Sequence, residues 1–217
     1  MNRLYFFNPE NDINLSYGHD TPRLTPLVNA LHRDGSMLPF WYSNEGDQIL
    51  ASDINQQWMD KIAIDFGIEP SLYTSDTDLE ASPWGWSVQT ARYLRSLGLK
   101  TPSDTNIDHW RDISHRRSTI YIAKRIGLDE KYIPIEANSI SEIQRFIELH
   151  GDAYIKAPWS SSGRGIIHTS ALNRNDIAFV QSVIRRQGSV MVEPAYTRSQ
   201  DFAMLFYSEK GYVRHMG

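Results

Sequence analysis

Short apolar runs alternate with amphipathic stretches along the whole chain, and this alternation limits the fold more than any other feature. Runs of about five apolar residues have the length of a buried strand, whereas apolar residues spaced three and four apart indicate a helix with one buried face. The pattern predicts a mixed α/β and α+β fold. A chain of 217 residues is long enough to give such a fold a sizeable core.

Turn and cap residues divide the first half of the chain into elements. Residues 4–7 are predicted to form the first buried strand. Thr21-Pro22 is typical of a helix start, because proline fits the first helical position. Ser52 is predicted to cap another helix, which ends at Gly67.

The second half carries clearer signals. Ser114 is predicted to cap a helix that buries Ile126 and ends at Gly127. Ser139 and Glu142 have the spacing of a capping box and are predicted to open a further helix. The strands predicted for this half cover residues 153–157, 166–168, 189–193 and 202–207, and a last strand begins at Tyr212.

The polar segment 100–105 is the best candidate for a domain boundary. It contains Pro102 and follows a predicted helix end at Gly98. The sequence therefore predicts one domain over residues 1–110 and a second over residues 111–217.

The composition excludes several classes of protein. The net charge of −4 does not fit a protein that mainly binds nucleic acid or an acidic membrane surface. With no cysteine, a disulfide scaffold, a thiolate zinc site and a cysteine nucleophile are excluded. No signal peptide or apolar run of about 18 residues is found. The cytoplasm is the expected location, and a homodimer stays open.

The most informative stretch is a predicted strand, a lysine, a loop of small residues and a second strand. Lys156 lies in the first strand, and the loop that follows this strand contains Ser160-Ser161-Ser162-Gly163-Arg164-Gly165. Small residues let successive backbone N–H groups approach one anion, and a strand lysine supplies a point charge. Neither the Walker pattern nor the dinucleotide fingerprint is present. The stretch indicates a phosphate site, and an ordinary hairpin is the alternative.

A second stretch is the end of the strand at residues 189–193. Glu193 and Pro194 lead into an irregular connector with Tyr196. A connector of this kind can present backbone groups to a purine, and Pro194 keeps the carbonyl that an exocyclic amine needs. The alternative is that Glu193 caps a turn or pairs with a lysine.

A third stretch places Arg116 and Arg117 at the predicted helix start after Ser114. Basic side chains there oppose the helix dipole, which suggests a nearby anion. A solvated helix face is the alternative.

In this order the three stretches resemble the ATP-grasp superfamily over about residues 112–210. The resemblance implies an ATP-dependent ligase that joins a carboxylate to an amine or thiol through an acyl phosphate. It also implies a Rossmann-like domain before the ATP-grasp domain. The residues that it places at ATP are Arg116, Lys156, Ser160, Ser161, Ser162, Gly163, Arg164, Gly165, Glu193, Pro194, Tyr196 and Asp201.

The resemblance assigns each part a role. Lys156 would contact the α- and β-phosphates, residues 160–165 would cover them, and residues 193–196 would hold adenine. Arg116 stands where many members have a lysine, so the charge is kept and the geometry differs. Asp201 would face ribose or phosphate.

One departure from the family concerns magnesium. Members hold Mg²⁺ with an Asp and then Glu-x-Asn on later strands, and nothing of that form follows Asp201. We expect a shortened piece of a longer enzyme rather than a lost metal site, because an apolar strand at a terminus is a pairing hazard. Such a piece is expected to bind nucleotide weakly and not to complete catalysis.

The acceptor substrate is expected near a polar loop that follows the first strand. Its candidate contacts are Asn8, Glu10, Asn11 and Asp12, because ligands of open α/β sheets lie at the carboxyl ends of strands. A turn rich in side-chain hydrogen bonds is the alternative. Two other functions stay open for the protein: a non-catalytic nucleotide-binding module, and an unrelated α/β domain that binds small molecules.

Overall fold

The computed structural model describes residues 2–52, 54–69, 71–75, 78–160, 162–197, 199–200, 202–209 and 211–217. Ser161 and Asp201, two of the predicted site residues, lie outside these ranges. The mixed α/β character predicted from the sequence is confirmed. The first half contains a parallel sheet, and the second half contains antiparallel pairs.

The first half is built around a three-stranded parallel sheet. Its elements in chain order are β1 (Arg3–Phe6), α1 (Asn11–Tyr17), α2 (Pro26–Asp34), β2 (Gln48–Leu50), α3 (Gln56–Phe66), β3 (Glu80–Pro83) and α4 (Val88–Ser96). β1 is central, in the order β2-β1-β3, and helices make the crossovers that parallel strands require. Leu4 and Phe6 of β1 pack with Leu94 of α4 in the core of this half.

Two helices join the halves: α5 (Asp104–Ser114) and α6 (Ser118–Arg125). Ser103 caps α5 by accepting a hydrogen bond of 3.3 Å from the backbone N–H of Asn106. The predicted boundary at residue 110 therefore falls inside a helix. The division of the chain into two domains stays a prediction.

The second half is built around a four-stranded antiparallel sheet in the order β4-β7-β5-β6. Its elements in chain order are β4 (Ile135–Ala137), α7 (Ile140–His150), β5 (Ala153–Lys156), β6 (Ile166–Thr169), α8 (Arg174–Gln187) and β7 (Val190–Pro194). Both helices cover one face of this sheet, and Ile143, Ile155, Val180 and Val192 are fully buried between the layers.

A two-stranded hairpin of β8 (Phe206–Glu209) and β9 (Tyr212–His215) ends the described chain. The last strand is confirmed at Tyr212. The prediction of a strand over residues 202–207 is wrong in position, because pairing of Phe206 with His215 fixes the register and starts β8 at Phe206.

Helix starts were the least accurate predictions. α2 begins at Pro26, not at Thr21-Pro22, and the Thr25 side chain accepts from the N–H of Val28 at 3.4 Å. Both places have the Thr-Pro pattern, but the helix begins at the second Thr-Pro pair, and Val28 is its buried residue. Asn55 caps α3 in place of Ser52, whereas the predicted end at Gly67 is confirmed.

The predicted helix from Ser114 to Gly127 is also wrong at its start. Ser114 is the last residue of α5, and His115 then takes an extended conformation before α6 begins at Ser118. Ile126 lies just past the end of α6 and is 72% exposed rather than buried. The capping box of Ser139 is confirmed.

None of the helices in the described part of the chain has both the length and the apolar character needed to cross a lipid bilayer.

Candidate functional site

The antiparallel sheet of the second half has one face free of its helices. Strand residues alternate between faces, so the neighbours of the buried core residues point to the opposite side. We call this side the open face. Its residues are Glu136, Tyr154, Lys156, Ile166, His168, Met191 and Glu193. Glu136, Lys156, His168 and Glu193 supply the charged and polar groups of this face, whereas Met191 on the same face is buried.

Lys156 and Glu193 form an ion pair on the open face. Lys156 ends β5, and Glu193 lies on the adjacent strand β7, opposite Tyr154 in the register. The Lys156 side chain is 24% exposed and that of Glu193 is 29% exposed, so both charges stay within reach of solvent. The ion pair therefore joins two stretches that the sequence analysis treated separately, one containing Lys156 and the other Glu193.

The β4 edge of the open face meets the junction between α5 and α6. The Glu136 carboxylate accepts a hydrogen bond of 2.7 Å from the Ser189 hydroxyl. It also lies 3.6 Å from the Arg117 guanidinium and 3.7 Å from Nε2 of His115. Arg117 thus contacts this edge of the face, and sequence reasoning did not identify Glu136 or His115.

His115 is buried, and its hydrogen bond fits a neutral imidazole ring. Its Nδ1 accepts a hydrogen bond of 3.0 Å from the backbone N–H of Arg117, which requires that nitrogen to be unprotonated. Burial is the main cause of a pKa below the ordinary value for histidine, and the nearby Arg117 charge acts in the same direction. The Trp159 ring packs edge-on against the imidazole, with centroids 4.6 Å apart.

Arg116 anchors the start of the loop after β5. Its guanidinium donates hydrogen bonds of 3.1 Å to the carbonyl oxygens of Ala157 and Ser160, and a longer one of 3.5 Å to the Ser160 hydroxyl. The Arg116 guanidinium therefore stabilises the start of this loop through its hydrogen bonds. A contact between Arg116 and a phosphate stays a prediction.

The conformation of this loop requires two residues with left-handed backbone and a glycine packed closely against its neighbours. Ser162 and Gly163 have φ angles of 53° and 71°, a conformation that favours glycine. Gly165 is packed so closely that a Cβ there would lie 2.5 Å from Ser160 Cβ and 3.0 Å from Ala157 Cβ. The carbonyl of Gly165 accepts from the N–H of Ala157 at 2.7 Å and closes the base of the hairpin.

The loop also lines a cavity of about 240 Å³ on the side of α8. Ser160, Arg164 and Gly165 meet residues of α1 and α8 there, including Asp12 and Arg186. Lys156 is not one of its lining residues. The structure therefore brings Lys156 and Glu193 together on one face, but it does not bring all the described members of the predicted set into one cavity.

The predicted linker leaves the sheet after Pro194, which is still the last residue of β7. The Tyr196 ring lies 5.7 Å from that of Tyr132, and the two tyrosines are 52% and 43% exposed. The Tyr196 hydroxyl donates a hydrogen bond of 3.4 Å to the carbonyl of Lys131. The pKa of Tyr196 is raised above its ordinary value, mainly by partial burial and then by the nearby Tyr132 and Glu193. The linker after Glu193 thus carries one member of an exposed aromatic pair.

The loop after β1, predicted to hold an acceptor, is tied to β3 and α4. The Asn8 amide donates to the carbonyl of Gly85 at 2.8 Å and to the Thr90 hydroxyl at 3.0 Å. Its oxygen accepts from the N–H of Gly85 at 3.1 Å. The Asn11 side chain fills the space where a Cβ at Gly85 would lie. Asn8 therefore cross-links the strand ends, and substrate contact at this loop stays a prediction.

Across the part of the chain that the structure describes, no group of three or more histidine, aspartate and glutamate side chains is placed to hold a metal ion. Glu193, the carboxylate beside Lys156, already pairs with that lysine.

Comparison with protein-family models gives no match, and comparison with curated protein sequences gives none. Among solved structures, part of the chain is similar to D-alanyl-alanine synthetase A from Vibrio cholerae O1 biovar eltor str. N16961. The identity is 17% and the TM-score is 0.32. The match covers 46% of this chain and 32% of the other, so this chain spans about a third of that protein.

Proposed function

We propose that the second half of the chain binds ATP on the open face, as a nucleotide-binding module of ATP-grasp type. The observation that carries the proposal is the Lys156–Glu193 ion pair, which lies where the strand β7 passes into the linker. The Lys156 ammonium is a compact charge on a fixed strand, which suits a phosphate oxygen. In the absence of a nucleotide Glu193 neutralises it.

The linker after β7 provides the argument for where the adenine of the same ligand would bind. Tyr196, which follows Glu193 in the linker, offers exposed aromatic surface together with Tyr132. Stacking of a base on such a ring contributes about 1–3 kcal/mol. We propose that residues 193–196 hold adenine, with the carbonyl of Pro194 accepting from its exocyclic amine.

The loop after β5 provides the argument for where the phosphates would bind. Arg116 fixes Ser160, and the left-handed Ser162 and Gly163 turn the chain within the loop that follows β5. Backbone N–H groups of a loop without large side chains can point to one anion. We propose that residues 160–165 cover the phosphates, with Arg164 as an added donor and Asp201 near the ribose or phosphate.

We also propose ligase chemistry for the protein, with a Rossmann-like domain over residues 1–110 before the nucleotide-binding part. The γ-phosphoryl group would pass from ATP to a carboxylate oxygen and release ADP. An amine or thiol would then attack the acyl carbon and expel phosphate. The described residues do not fit a Mg²⁺ site, so no step of this proposal is assigned to a metal ligand of this chain.

Thermal unfolding in millimolar ATP tests the nucleotide proposal. We expect ATP to raise the melting temperature of the wild-type chain and to have no effect on Lys156→Ala. Lys124→Ala, which removes the same charge from an exposed position on α6, is the matched control and should respond like wild type. A wild-type melting temperature that ATP leaves unchanged would contradict the proposal.

A further inference from the structure

A cavity of about 600 Å³ lies in the first half of the chain, between the end of α2, the 3₁₀ helix Leu38–Trp41 and the start of α3. Cavities of about 300–1,000 Å³ have the size of small-molecule sites. The lining combines apolar side chains, two of them tryptophans, with a few polar groups. The apolar part includes Leu38, Trp41 and Trp58, and the polar part includes Arg33, Asp34 and Asn55.

The Trp41 ring is held in place and still faces solvent. Its centroid lies 5.0 Å from that of Phe40, 5.4 Å from that of Phe66 and 6.5 Å from that of Trp58, all in edge-to-face contact. These contacts restrict the ring, and yet Trp41 is 51% exposed. An aromatic surface that is ordered before a ligand arrives binds it at a lower cost in side-chain entropy.

The two charged side chains among the described residues of the lining neutralise each other. Nε of Arg33 donates a hydrogen bond of 2.8 Å to Oδ1 of Asp34. The lining therefore carries no excess charge of either sign to attract a phosphate, a carboxylate or an ammonium group. This balance favours a neutral ligand.

The polar side chains of the cavity still offer acceptors and donors to such a ligand. A carboxylate has about four acceptor sites, so Asp34 can accept further hydrogen bonds beside the one from Arg33. Oδ1 of Asn55 accepts from the backbone N–H of Trp58 at 3.1 Å, which fixes the amide with its nitrogen as a donor. A neutral ligand that suits this lining has hydroxyl groups along its edge and an apolar face.

We propose that this cavity binds a neutral pyranose sugar, with one face of the sugar ring on Trp41 and its hydroxyl groups at Asp34 and Asn55. The axial hydrogens of a pyranose give the ring an apolar face, and each of its hydroxyl groups both donates and accepts. An entirely apolar ligand would cover the polar side chains without replacing the water bound to them. The proposal does not rest on nucleotide binding at the open face.

Nuclear magnetic resonance of the indole N–H groups tests the proposal in the wild-type chain. The probes are the methyl glycosides of glucose, galactose and mannose, and cyclohexanol, a ring of the same size with a single hydroxyl group. We expect at least one glycoside to shift the indole signals of Trp41 and Trp58 saturably at millimolar concentration, and cyclohexanol to leave them unchanged. Equal shifts with cyclohexanol would show a merely apolar cavity. No saturable shift with any glycoside would show that the lining does not recognise a sugar. Either result overturns the proposal.

A variant separates the aromatic surface from the rest of the cavity. Trp41→Ala keeps the polar side chains, and we expect the glycoside to bind at least about tenfold more weakly, measured at the Trp58 indole signal. Trp110→Ala removes a tryptophan that is 41% exposed on α5 and should bind like wild type. Unchanged binding in a folded Trp41→Ala protein would contradict the role of the ring. If that variant does not fold, the wild-type panel still decides.

Discussion

The guanidinium of Arg116 donates a hydrogen bond of 3.1 Å to the carbonyl oxygen of Ser160, 44 residues further along the chain. A second bond of 3.1 Å to the carbonyl of Ala157 makes the contact a two-point clamp on the loop after β5. This clamp links the junction of α5 and α6 to the base of the predicted phosphate loop. A basic residue at the helix start is thereby explained without a bound anion.

We expect Arg116→Ala to destabilise the fold by about 2–3 kcal/mol, because charge-assisted hydrogen bonds are lost and two carbonyls lose their donor. Urea unfolding measures the change. Arg125→Ala, at an exposed position in the last turn of α6, should change stability by less than about 0.5 kcal/mol. If Arg116→Ala unfolds at the same urea concentration as wild type, the clamp does not stabilise the loop.

Gly165 should not tolerate a side chain. A methyl group there would overlap Ser160, so we expect Gly165→Ala to cost about 1–3 kcal/mol. Ser160→Gly removes the overlapping atoms, and the double variant should be more stable than the sum of the single effects predicts. Gly217→Ala, where nothing lies within 4 Å, is the neutral control. Strict additivity would show that Ser160 is not the obstacle.

Local signals in the sequence predicted much of the second half. The capping box of Ser139 is found where expected, and the strand predicted over residues 153–157 is found at Ala153–Lys156. Both depend on residues close in sequence. The helix starts were harder, since Thr21-Pro22 and Thr25-Pro26 carry the same local pattern. A helix that began at Pro22 would place Pro26 in its second turn, where a proline cannot donate a hydrogen bond, so the second pair is the better start.

The site was predictable in its parts but not in its contacts. Alternation along β5 places Lys156 opposite the core, but its pairing with Glu193 depends on the register between β5 and β7. The sequence does not show that register, because β6 and α8 intervene. For the same reason it did not show that Arg116 reaches Ser160, or that Asp34 and Trp58 line one cavity.

His115 should make stability depend on pH. Burial lowers its pKa in the folded state, so between that pKa and the unfolded value of about 6.5 the unfolded chain binds more protons. Stability then rises with pH across this window and falls as the solution is acidified. Urea midpoints at several pH values between 5 and 8 measure the slope.

Replacing His115 isolates its contribution. His115→Asn keeps a side-chain acceptor that can reach the N–H of Arg117 and removes the titrating ring. We expect a lower stability but a flatter dependence on pH than in wild type. His109→Asn, on the exposed side of α5, should keep the wild-type slope. An unchanged slope in His115→Asn would assign the pH dependence to another group.

The charge of Glu193 should oppose polyphosphate binding at Lys156. Any phosphate that reaches the Lys156 ammonium approaches the carboxylate paired with it. Glu193→Gln removes this repulsion, which we expect to strengthen binding of inorganic tripolyphosphate by about 1 kcal/mol, or about fivefold. Tripolyphosphate is the useful probe because it lacks adenine, so changes at the linker do not enter the measurement. Calorimetric titration at low salt measures the affinity, and Glu148→Gln on the exposed side of α7 is the matched control. An affinity that falls, or equals that of the control, would mean that the phosphates do not bind beside this pair.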